Sequence, residues 1–301
     1  MIVSHENSPV LSGSGLSETT EGAMRKIPRD LVGLRVALEL LFFFLGSSLA
    51  GAALLVGVGL VLGPRSLQPV VPSRVVDIVP LLMTIIYMRC RGITWHATEA
   101  VKSDLRRVIS VSLLASIFAA LLYAVIFSSV SGEYTIGRSS RSVELLRHHS
   151  GYDYREGINA FVLLLPVPIL EEMIFRGGAM SALKRTVRRG TAVLLSAMLF
   201  AVAHLEPDQM TGAFLVGLLS GTAFLAAGRL LPSILVHVAW NATLMLWTLK
   251  DPLFPGLARI DHASIQWVAL PAAIGVLIST RLLYHLAWAP DASCREPPPN
   301  S

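Results

Sequence analysis

The chain has 301 residues, 53% of them hydrophobic and only 15% charged, with a mean hydropathy of +0.61. A soluble domain of this length does not need so much apolar sequence. The net charge of +5 does not mark a nucleic-acid binder, because the basic residues sit in short clusters between apolar runs, as topology determinants do.

Residues 1–32 are polar and rich in Ser, Gly and Glu, and read as a disordered cytoplasmic tail. The first apolar run, about 36–63, is too long for the core of a cleaved signal and reads as a retained spanning helix. Two more spanning candidates follow at about 75–90 and 108–130, then a polar loop over 131–156. That loop carries Arg138, Arg141, Arg147, His148, His149 and Arg155, and reads as solvated, with an interfacial amphipathic segment as the alternative. Candidates at about 158–177, 190–205, 209–228 and 231–249 fill a core region, 157–250. A last one at about 266–289 closes a segment 251–289, before a tail over 290–301. The second, fifth and seventh candidates are short or interrupted. The eighth holds Arg281 and His285, which can snorkel to the interface.

The expected fold is therefore all-α, a polytopic membrane protein of about eight transmembrane helices. The runs lack the ten-residue alternation of a membrane β-barrel. The two cysteines, Cys90 and Cys294, form no disulfide framework and no CxxC site, and Cys294 is in no prenylation box. With the N-terminus inside, fifteen Lys and Arg fall on inner segments and eight on outer ones, which predicts both termini in the cytoplasm. In a bacterium this would be a multi-pass protein of the plasma membrane.

The fourth apolar run ends in charge. Glu171 and Glu172 are adjacent, and Arg176 follows Glu172 by four residues. A charge inside a spanning segment is costly and marks a functional site by default. Glu172 and Arg176 share a helix face at i and i+4 and can pair, with Glu on the favourable N-terminal side. Glu171 is turned about 100° away and is left free to act as a base. Pro166 and Pro168, just before, point to a kink lining a cavity.

Two further runs supply histidines. His204 has Phe200 one turn before it, and His237 has Asn241 one turn after it. Each residue alone also fits a packing, interfacial or helix-gluing role. Together they can hold a water, deprotonate it with a carboxylate and a histidine, and donate hydrogen bonds to an oxyanion. Two histidines and a glutamate are also the ligands of many catalytic zinc sites, so Glu171, His204 and His237 form the alternative metal set. HExxH is absent, as are GxSxG and paired intramembrane aspartates.

The three motifs, Glu171-Glu172-Met173-Ile174-Phe175-Arg176, Phe200-Ala201-Val202-Ala203-His204 and His237-Val238-Ala239-Trp240-Asn241, resemble in order and spacing those of the CAAX protease and bacteriocin-processing family of intramembrane proteases. That group includes the type II CAAX prenyl endopeptidases. The resemblance runs from about Gly157 to Trp247. It implies an eight-helix fold with a cavity open toward the cytoplasm. Glu171 would activate water with help from His204, and His237 and Asn241 would stabilise the oxyanion. Glu172 and Arg176 would orient the site, with Phe200 in support. It implies no cofactor with certainty; zinc belongs to the metalloprotease alternative. The partners implied are a peptide, or a prenylated or other membrane protein, as substrate, within a lipid bilayer and without nucleic acid. Competing readings are a catalytically idle binding or immunity-type protein that keeps the pocket, and a proton-coupled transporter, for which the inverted repeats are missing.

Overall fold

A computed structural model of the chain describes residues 29–62, 73–93, 104–131, 154–248 and 262–288. Most of the expected loop 131–156, nearly all of the expected tail 1–32 and the tail 290–301 lie outside them. Among the described residues every element is helical and none is a strand.

The elements are α1 (Arg29–Leu62), α2 (Ser73–Cys90), α3 (Leu105–Ser131), α4 (Tyr154–Leu164), α5 (Pro166–Glu172), a π-helix (Met173–Met180), α6 (Arg189–Ala203), α7 (Pro207–Ala227), α8 (Leu230–Thr248) and α9 (His262–Trp288). From α4 to Leu183 the chain runs as one broken rod.

All eight apolar runs are helical, but six have the length and composition to cross a membrane. These are Leu31–Leu54, Leu105–Phe127, Ile158–Leu183, Gln209–Ala227, Leu230–Trp247 and Trp267–Trp288. The second and fifth runs do not qualify. α2 carries Asp77, Arg89 and an internal Pro80, and α6 has only 15 residues. The seventh, read as short or interrupted from the sequence, does qualify. With so many apolar helices, this is an integral membrane protein.

The exterior agrees with that solvent. Phe42, Leu54, Trp267 and Leu277 are exposed, while the interior is rich in Ala and Ser. Lipid gives helices no hydrophobic reason to associate, so contact depends on close packing of small residues. A Cβ on Gly217 of α7 would lie 3.1 Å from Ala197 Cα of α6. A Cβ on Gly33 of α1 would collide with the Ala182 carbonyl oxygen.

Neighbouring runs alternate in direction. α9 packs along α3, α7 along α6 and α8, and α1 along α2 and the π-helix. Gly33 near Ala182, and Gly190 near Trp288, put the starts of α1 and α6 at the face where the rod and α9 end. Glu171 lies 13 residues from one end of its spanning segment, Ile158–Leu183, and 12 from the other (171 − 158 and 183 − 171). The two carboxylates thus sit midway along that segment.

Candidate active site

The rod breaks where the prolines dictate. Leu165 adopts φ −123°, ψ −68°, and α5 restarts on Pro166. Pro166 and Pro168 have no N–H to give, so the ladder across this point is incomplete. Backbone carbonyls freed inside a membrane must find a partner within the protein. Asn241 Nδ2 of α8 donates to the Leu163 carbonyl at 3.1 Å. One of Asn241's two amide hydrogens is therefore spent on the break and the other remains.

Beyond Glu172 the chain winds as a π-helix, a form that recurs at functional sites. Ser181 Oγ donates to the Arg176 carbonyl at 2.9 Å. Gly178 allows Met88 and Leu40 to press on this helix; a Cβ there would lie 2.6 Å from Met88 Cε.

Glu172 and Arg176 are fully buried, with Arg176 Nε 3.1 Å from Glu172 Oε2. Burying a charge is tolerable only when it is paired and hydrogen-bonded. Arg176 Nη2 donates to the Gly217 carbonyl at 3.1 Å, and its guanidinium lies over the Phe200 ring, 4.8 Å from the centroid. The Nε–H is close to Glu172 without being aligned as a hydrogen bond, and Nη1 has no hydrogen-bond partner. Glu172 gathers two more groups. Ser233 Oγ donates to Oε2, and His237 Nδ1 stands 3.1 Å from Oε1.

Glu171 is less enclosed, with its side chain 13% exposed against 0% for Glu172. Its Oε2 lies 3.6 Å from His237 Nε2, just outside hydrogen-bond range and close enough for one water to touch both. His237 therefore stands between the two carboxylates.

His204 caps the end of α6. Its Nδ1 donates to the Phe200 carbonyl at 2.9 Å, since that oxygen can only accept, and Nε2 takes no part in that bond. The Phe200 ring meets His204, His237 and Phe175 edge-to-face at 4.7, 5.5 and 5.0 Å. Leu205, the next residue, has φ +58°, a left-handed backbone uncommon outside glycine.

The structure thus brings Glu171, Glu172, Arg176, Phe200, His204 and His237 together, while Asn241, one turn after His237 on α8, bonds the Leu163 carbonyl. Glu171's nearest histidine is His237, while His204 reaches the cluster through Phe200. Sequence reasoning missed Ser233 and the Gly217 carbonyl. Ser233 stands four residues before His237, so helical spacing could have found it; a backbone carbonyl carries no such signal.

The proposed metal set fits poorly. Among the described residues no group of three His, Cys, Asp or Glu side chains is arranged to hold an ion.

Every residue of this cluster falls within residues 156–243, which match the family model described as type II CAAX prenyl endopeptidase Rce1-like. Residues 156–243 form an Rce1-like domain. The Rce1-like family is a protease family, and the match supports an enzyme that acts on a peptide or protein. No curated protein and no solved structure matches the chain.

Proposed function

We propose that the protein is an intramembrane endopeptidase in which Glu171 activates the attacking water. One observation carries this reading: of two adjacent carboxylates, Glu172 is held by Arg176, Ser233 and His237, whereas Glu171 is partly open and faces one histidine nitrogen. The first is built to stay ionised and still. The second is placed to exchange a proton.

The chemistry follows. Water adds through its oxygen to the scissile carbonyl carbon and gives a proton to Glu171. The tetrahedral oxyanion is met by N–H donors: His237 Nε2 when the ring is doubly protonated, the second Asn241 amide hydrogen, and His204 Nε2 when that ring is charged. Glu171 then returns its proton to the amine nitrogen as the C–N bond breaks. His204 also keeps the role the resemblance gives it, helping Glu171 to hold the water. No step is routed through a metal.

The substrate reading is a membrane protein or a peptide held at the membrane, because the carboxylates lie midway along a segment long and apolar enough to span a bilayer. We place both termini in the cytoplasm, because Arg89, Arg91, Arg106, Arg107 and the Lys184–Arg189 cluster gather at one face.

The test is cleavage of a fluorogenic peptide library by the purified protein in detergent, comparing wild type with Glu171→Ala, with and without a chelator. Glu171-dependent cleavage that survives the chelator supports the reading. Loss with chelator restores the metal alternative. Equal cleavage by the variant, or none by folded wild type, returns the idle binding protein.

A further inference from the structure

The serine and threonine hydroxyls of the membrane helices mostly bond back to their own helix. Thr84 donates to Pro80, Thr222 to Leu218, Thr243 to Ala239 and Thr280 to Val276, each to a carbonyl four residues earlier. This is the ordinary way to satisfy a hydroxyl in an apolar helix. Ser233, fully buried near the start of α8, does otherwise. Its hydroxyl leaves its own helix and donates to a side chain 61 residues away, Glu172 Oε2.

That choice has a geometric result. Glu172 Oε2 is shared by Ser233 and Arg176, and Oε1 is left for His237 Nδ1 at 3.1 Å. An ionised carboxylate only accepts, so the ring nitrogen facing it must carry a hydrogen. Once Nδ1–H is fixed, neutral His237 has its lone pair on Nε2, the nitrogen facing Glu171.

We propose that Ser233 is a positioning residue: by holding Glu172 in one rotamer it fixes the tautomer of His237 and turns Nε2 toward Glu171. The role of His237 rests on the peptidase reading above; the tautomer does not. Without the hydroxyl, the Glu172 carboxylate is held on Oε2 by Arg176 alone. It can then rotate about its last bond, and the imidazole loses its fixed acceptor. The serine never touches substrate, so its loss acts on turnover rather than on binding.

The experiment reads both consequences. Protein labelled with 15N-histidine, with His237 assigned by comparison with His237→Gln, reports which ring nitrogen is protonated. The expected wild-type state is a single Nδ1–H tautomer. Ser233→Ala gives a mixture, and lowers kcat by about tenfold or more with KM changed less than about twofold. Ser233→Thr, which keeps the hydroxyl, restores both. Thr280→Ala, on α9, changes neither. A Ser233→Ala protein with the wild-type tautomer overturns the proposal, whatever cleavage does. If the tautomer changes while wild type cleaves nothing, the positioning role stands and the peptidase reading falls. If wild type cleaves through Glu171 and the tautomer is unmoved, the reverse holds.

Discussion

A rotation of about 100° separates two successive helical residues, and at Glu171 and Glu172 it decides between two chemistries. Glu172 turns into the protein and meets Arg176; Glu171 turns toward the less enclosed side. The substitutions should therefore differ in kind. Glu171→Gln should keep the fold and lose about a hundredfold or more in turnover, a loss typical of a general base, read as kcat beside an unchanged melting temperature. Glu172→Gln should instead destabilise the protein by about 3–5 kcal/mol, because it leaves the Arg176 guanidinium uncompensated at zero exposure. Thermal unfolding in detergent measures that. At this scale the sequence was partly legible. The spacing of four makes the Glu172–Arg176 pair readable, since both ends lie on one helix. The contacts of Glu172 with Ser233 and His237 span 61 and 65 residues, and only the packing of α8 against α5 creates them.

Individual helices carry the same division. The break at Leu165 could be anticipated from Pro166 and Pro168. Its repair by Asn241 could not, because an asparagine one turn from a histidine reads equally well as a site residue. Asn241→Leu should cost about 1–3 kcal/mol, through the orphaned Leu163 carbonyl, besides any effect on turnover. Parallel melting curves and rates would separate the two. The π-helix was also invisible, since hydropathy does not tell an i+4 ladder from an i+5 one. Gly33 shows how tightly α1 approaches this region. Gly33→Val should destabilise by about 1–3 kcal/mol as overpacking, because its Cβ would press on a backbone oxygen that cannot rotate away.

For the whole molecule, apolar run length made the helical, membrane-embedded class readable, and eight helices form where eight runs were read. Length alone overcounted the spans. α2 and α6 are held by neighbours rather than by lipid on all sides, so tertiary packing supports helices that hydropathy would not. The proposed orientation predicts that green fluorescent protein fused after Ser301 fluoresces, and that alkaline phosphatase fused there is inactive. The opposite result would invert the topology.

The brevity of α6 has a consequence for the membrane itself. Fifteen residues make a helix of about 22 Å, against a hydrocarbon layer of about 30 Å. Leu194, Met198 and Val202 lie four residues apart on an exposed stripe, so this helix faces lipid directly. Local thinning of the bilayer is one way to meet such a mismatch. Such a dimple would bring the far interface down to the helix end, where His204 sits. Water would reach the site by way of a deformed leaflet instead of a pore. Turnover in bilayers of graded acyl-chain length should accordingly rise as the chains shorten.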